Sequence, residues 1–190
     1  AAITLYNPTV TTGNISGNIT TSGFDVYNNI TNTGGASIIE HGILYTQQAI
    51  YGNNTGLIYS NFPNVCKASS FSGVTSIPYT YSARTNNLTP NTLTYYRAFA
   101  KNARGIGYGA IYTQQTASII TYRLTINFIN LIGIVEKSPD LINYPAGSTV
   151  LLTAVDDATL RTGSYFQYWE YNGNIFGDYE LYVDINNDTV

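Results

Sequence analysis

The chain has 190 residues, 18 of them Tyr and 17 Gly, with only 10% charged; it is long enough for one large or two small domains. Low content of the helix formers Glu, Lys, Ala and Leu, with many strand and turn formers, excludes a helical bundle and predicts an all-β protein. The net charge of −3 comes without a clustered basic surface, which excludes a nucleic-acid groove, and no apolar run approaches the roughly 20 residues of a membrane span, so no membrane insertion is expected.

At the N-terminus, "AAITLYNPTV" lacks the basic start and apolar centre of a secretory signal. The expectation is a mature protein, a fragment, or a protein that reaches the exterior by another route, as a virion component does. "AAITLY" reads as a short strand or arm, stopped at Asn7-Pro8 because proline has no N–H to give a ladder. A Pro-Thr-Val-Thr-Thr edge strand follows, then a strand in which Phe24, Val26 and Ile30 oppose Asp25, Tyr27 and Asn29. Gly34-Gly35 makes a turn into "SIIEHGILYT".

Residues 47–76 are the least regular part, broken by Gly52, Gly56, Pro63 and Gly73 but carrying Leu57, Tyr59, Phe62 and Phe71. A polar stretch with such large apolar groups is expected in part to pack down or meet a partner. Alternation resumes in "SIPYTYSA", with Ile77, Tyr79 and Tyr81 on one side. In Tyr95–Lys101 the small residues Ala98 and Ala100, with Tyr96, mark the packed face, and Tyr95, Arg97, Phe99 and Lys101 the other. "NARGIGYG" then supplies Gly105, Gly107 and Gly109, expected to take left-handed angles and turn the chain into a last strand near Tyr108–Thr113.

Two of these stretches, "NTGGASIIEHGILYT" and "NTLTYYRAFAKNARGIGYG", resemble the fibronectin type III-like module of Bacteroidetes-type surface proteins. The resemblance implies an immunoglobulin-like β-sandwich over residues 1–118, with a short N-terminal arm. In that family a tyrosine four residues after the proline of "NNLTPNT" bonds back across a corner. Here the position is Thr94, so the corner is either rebuilt by Tyr95 or Tyr96 or weaker than usual.

"TQQTASIIT" joins the halves without Gly or Pro, which predicts a short, fairly stiff connection. Beyond it Leu124, Ile126 and Phe128 alternate with polar residues, as do Leu181, Val183 and Ile185 with Glu180, Tyr182 and Asp184. With the Ser-Pro-Asp loop, the Tyr-Pro-Ala-Gly turn, an aromatic strand around Trp169 and the closing Asn-Asn-Asp-Thr turn, residues 119–190 resemble the small β repeat found in tandem in bacterial surface proteins. Phe166 and Trp169 are expected to supply much of its core. The repeat usually continues into one further strand; the expectation is that the sequence stops short of it, the alternative being an open edge that could accept a strand from another subunit.

Catalysis at neutral pH usually needs a histidine, a perturbed carboxylate pair, an activated thiol or a metal. His41, the one histidine, reads as a strand-surface residue, and Cys66, the one cysteine, as a small packing residue despite its neighbour Lys67. One cysteine also rules out an intrachain disulfide. Asp156-Asp157 and the series Asp178, Glu180, Asp184, Asp188 could offer oxygens to calcium, but no Asp-x-Asp-x-Asp-Gly loop is present, so no metal or cofactor is expected.

What remains is aromatic contact. Tyr51, Tyr59, Tyr79, Tyr81, Tyr95 and Phe99 are the candidate contact surface of the first domain, and Tyr168, Tyr171, Tyr179 and Tyr182 that of the second. The expected role is that of a non-enzymatic, extracellular structural or adhesive protein, either a phage decoration or fibre-type protein or a module of a cell-surface adhesin or filament. Its partners would be capsid, filament or cell-surface subunits. A further copy could also bind head to tail, since residues 1–120 carry net +3 and residues 121–190 net −6. The alternative is a carbohydrate-binding module whose tyrosines stack on sugars.

Overall fold

The computed structural model describes residues 4–71, 74–127, 134–155 and 166–186. They divide between two compact units, Ala1–Ser118 and Ile119–Val190. Strands dominate both; among the described residues the helical elements are two single 3₁₀ turns, Ala49–Tyr51 and Tyr59–Asn61.

In the first unit the strands are β1 (Thr9–Ser16), β2 (Asp25–Asn32), β3 (Glu40–Thr46), β4 (Cys66–Ser70), β5 (Tyr79–Arg84), β6 (Leu93–Lys101), β7 (Ile106–Tyr108) and β8 (Tyr112–Gln115). A sheet of order β1-β2-β5 packs on one of order β4-β3-β6-β7, with β8 also paired to β6. Antiparallel register places Ile43 opposite Ala98 and Tyr45 opposite Tyr96. Their faces meet Phe24 and Val26 from the other sheet, while Val10, Ile30, Tyr81, Ala98 and Ala100 form the neighbouring layer. Phe24 lies edge-on to Tyr96 at 5.3 Å.

β3 is buried at all seven positions, so its two faces are both covered. Residues 47–65 fold back over the outer face, and Leu57 and Val65 pack with Leu44 and Phe99 into a second core. Phe99, expected on the open side of β6, is therefore fully buried, and Arg97 nearly so. The guanidinium Nε and Nη2 of Arg97 both donate to the Gly109 carbonyl, at 2.9 and 2.7 Å, and its plane lies over the Tyr108 ring. That bond falls in the break between β7 and β8, where the sequence suggests one continuous strand.

The glycines of this hairpin have a different cause from the one expected. Left-handed backbone occurs at Gly34 (φ 71°) and Gly35 (φ 83°), at the turn between β2 and β3, and not at Gly105, Gly107 or Gly109. At Gly107 a Cβ would stand 1.7 Å from the Pro8 carbonyl oxygen, so glycine is required by the close approach of the N-terminal segment. Thr12 of β1 ties the same place together: its hydroxyl donates to the Ala110 carbonyl at 2.6 Å and accepts from the Ala98 amide at 2.9 Å.

The arm forms no strand over Thr4–Pro8; Tyr6 is fixed instead by its amide to the Gly34 carbonyl. The corner at Pro90 is rebuilt, but not by Tyr95 or Tyr96. Gln47 accepts from the Thr89 amide and donates to the Thr89 carbonyl and the Thr94 hydroxyl, while Thr116 donates to the Thr89 carbonyl at 2.6 Å.

In the second unit the strands are β9 (Thr121–Tyr122), β10 (Ile134–Ser138), β11 (Tyr144–Pro145), β12 (Ser148–Val155), β13 (Trp169–Tyr171), β14 (Asn174–Phe176) and β15 (Glu180–Ile185). A sheet β10-β12-β15 holds a core of Val150, Leu152, Leu181, Val183 and Ile185 around fully buried Tyr144. The Tyr144 hydroxyl donates to the Pro139 carbonyl and accepts from the Leu141 amide, closing the Ser-Pro-Asp loop. Trp169 packs at the rim of this core, and Phe166 stacks on Trp169 and Tyr179 at 5.1 Å outside it. Among the described residues this core is aliphatic around Tyr144, with Trp169 packed against it as expected, together with Tyr122 and Tyr171. Leu124 and Ile126 pack on the core; Phe128, Asp156-Asp157, Asp188 and the Asn-Asn-Asp-Thr turn lie outside the described residues.

Candidate functional site

The second core places a polar cluster on the outer face of β3 and β4. Glu40, at the start of β3, is nearly solvent-free. Lys67 of β4 donates to its carboxylate at 2.7 Å, and the Tyr59 hydroxyl donates to its other oxygen at 2.5 Å. Lys67 also donates to Tyr59 at 3.0 Å and sits over its ring, as does Lys101. Burial pushes the Glu40 carboxyl upward, but the hydrogen bonds from Lys67, Tyr59 and Ser69 outweigh it and hold the pKa below its ordinary value. The charge is satisfied inside the protein, which makes the cluster a structural clamp for the 47–65 connection. Glu40, at the start of the strand and beside His41, carried no sequence signal that set it apart from a solvated acid.

Beside this clamp lies a recess of about 200 Å³ lined by Leu44, Tyr59, Phe62, Val65 and Lys67. Phe62 and Phe71 are each 71% exposed, and the Phe71 ring lies 5.9 Å from the Lys67 ammonium. Phe62 thus borders the recess as an open ring, and Phe71 lies open near the Lys67 ammonium that also lines it, the composition of an interface anchor.

The candidate aromatic residues do not form one surface. Tyr51, Tyr59 and Tyr95 are half-buried around the second core with Phe99 at its base. Tyr79 and buried Tyr81 belong to the other side of the sheet, where the Tyr81 hydroxyl donates to the Gly42 carbonyl at 2.9 Å. Phe99 and Tyr81 are thereby excluded from any contact surface, because a side chain committed to a core has no face left for a partner. In the second unit Tyr168, Tyr179 and Tyr182 are exposed and Tyr171 is half-buried. Register aligns Glu136, Thr153 and Glu180 across the outward face of its main sheet, with Tyr182 and Asp184 further along β15.

His41 and Cys66 exchange the places expected of them. Cys66 is exposed at the start of β4. His41 points inward between the sheets, edge-on to Tyr79 at 5.4 Å and Tyr81 at 4.6 Å, and its Nδ1 has no hydrogen-bond partner. Among the described residues no group of three His, Cys, Asp or Glu side chains that could hold a metal occurs.

Burial lowers the His41 pKa below the ordinary 6.5, with the Glu40 charge opposing in part. The unfolded chain then binds the extra proton between 6.5 and the lowered value. Stability should be full above about pH 6.5 and fall below it, with a slope of at most about 1.4 kcal/mol per pH unit. Chemical denaturation from about pH 7.5 to about pH 5 checks this: His41→Phe should flatten the profile, and equal slopes in both proteins would refute the assignment.

No protein-family model matches the chain, and a sequence search of curated proteins finds no match. Among solved structures it is similar to the sensor domain of the anti-sigma factor RsgI4 from Pseudobacteroides cellulosolvens, with 18% identity and TM-score 0.42 over 60% of this chain and 98% of that one. A solution structure of the same sensor domain gives 19% identity and TM-score 0.42, over 58% of this chain and 76% of that one. A human FNIII domain gives 13% and 0.40, over 60% and 81% respectively. The strand order of the first unit, β1-β2-β5 facing β4-β3-β6-β7, identifies it by its own geometry as a fibronectin type III-like β-sandwich.

Proposed function

We propose that this chain is a non-enzymatic, outward-facing structural or adhesive protein that works by protein–protein contact through the Phe62–Phe71 face. The observation that supports the reading is that Phe62, beside the Leu44–Val65 recess, and Phe71, near the Lys67 ammonium that lines it, are each left 71% open, while the rings around them are tied into cores. An extracellular setting follows, as a decoration or fibre-type protein of a phage or as a module of a bacterial cell-surface adhesin or filament. The partner is a capsid, filament or surface subunit. A second copy fits the same scheme, its acidic β10-β12-β15 face meeting the basic first unit head to tail.

Co-sedimentation of the purified chain with virions or cell-envelope filaments of its source tests this. Retention should fall at least about tenfold in a Phe62→Ala/Phe71→Ala double variant whose melting temperature is unchanged. No retention of the unaltered chain on either particle would overturn the proposal.

A further inference from the structure

The two sheets of the first unit part on the side opposite the 47–65 connection's recess-bearing strand β4, between β1 and β8. β1 pairs only with β2, and β8 only with β6. The register of β1 on β2 slips between Thr12 and Ile15, which carries Asn14 out of the ladder. The result is a cleft of about 500 Å³ lined by Asn14, Ile15, Tyr96, Ile111, Tyr112, Thr113 and Gln114. That volume lies in the range of small-ligand sites.

Its chemistry is specific. No charged side chain lines it. The Tyr112 ring is 46% exposed and held edge-on to buried Tyr96 at 6.2 Å, so its orientation is set by the core beneath it. Gln114 spends one amide N–H on the Gln115 carbonyl, which leaves Oε1 as an acceptor, and among the described residues no hydrogen bond engages the Asn14 side chain. A fixed aromatic face, an apolar wall from Ile15, and side-chain amides that can both donate and accept fit a ligand with apolar C–H faces and neutral hydroxyls. We infer that this cleft binds a neutral saccharide, one sugar ring lying on Tyr112 and its hydroxyls bonded by the side-chain amides of Asn14 and Gln114.

The site is separate from the Phe62–Phe71 face, so each can fail without the other. The test uses the full chain, ¹⁵N-labelled, titrated with linear hexasaccharides of glucose, mannose, galactose and N-acetylglucosamine. At least one should give saturable shifts confined to the side-chain amides of Asn14 and Gln114 and the backbone of residues 111–114. Tyr112→Ala should weaken that binding at least about tenfold, and Tyr112→Phe much less. Tyr27→Ala, which removes a 54% exposed ring that does not line the cleft, should leave it unchanged. No saturable binding by any of the four, shifts elsewhere, or unchanged affinity in Tyr112→Ala would overturn the inference. So would an extended peptide that perturbs the outward amides of β8 where the sugars do not, because the open edge would then be a strand-addition site.

Discussion

Replacing Phe99 with Ala is expected to cost about 3–5 kcal/mol of folding stability, read as a lower urea midpoint at unchanged slope. Phe99 is fully buried in the second core with Leu44, Leu57 and Val65, and lies edge-on to Tyr59 at 5.4 Å. Removing its ring opens a cavity whose walls are the sheet on one side and the 47–65 connection on the other. The sheet cannot collapse into that space without breaking its ladder, so the loosened element should be the connection. Amide exchange should therefore rise in residues 47–65 before it rises in β3 or β6. Phe62→Ala, by comparison, should stay within about 0.5 kcal/mol because its ring already faces water. A Phe99→Ala loss below about 1 kcal/mol would mean that the second core does not exist in solution.

Asn102→Ala should cost about 2–4 kcal/mol, a large effect for one short polar side chain. Buried Asn102 donates to the Tyr6 and Thr33 carbonyls, each at 2.7 Å, and accepts from the Arg104 and Gly105 amides at 2.8 and 3.1 Å. One amide group thus joins the N-terminal arm, the β2–β3 turn and the β6–β7 turn. Alanine leaves all four backbone groups without this partner, beside Gly34, where a Cβ would stand 2.1 Å from the Tyr6 carbonyl oxygen. Faster exchange at the Arg104 and Gly105 amides, together with proteolytic release of the arm, would locate the damage. An unchanged arm and a loss under about 1 kcal/mol would show that water replaces the side chain fully.

Much of this architecture was readable in the chain because a strand's alternation is a local property of its backbone. Val26 and Ile30 point inward and Tyr27 outward in β2, and Leu181, Val183 and Ile185 point inward in β15, as their spacing predicts. The Gly34-Gly35 turn was readable for the same reason, since a positive φ is a property of the residue that adopts it. The candidate site was less legible. The six aromatic candidates of the first domain included Phe99 and Tyr81, which are buried, and left out Phe62 and Phe71, which stay open, because residue type and spacing do not tell which rings a distant segment will cover.

By itself, then, the sequence determined which residues alternate, where the turns fall and that strands and not helices would form. Only the tertiary structure decided what covers each face. Phe99 is core because a connection more than thirty residues upstream folds over it, His41 is inside because Tyr79 and Tyr81 close on it, and Gln47 makes the corner at Thr89 from 42 residues away. Period two separates the faces of a strand, but whether the second face meets water depends on contacts between segments distant in the chain, and those are set by packing.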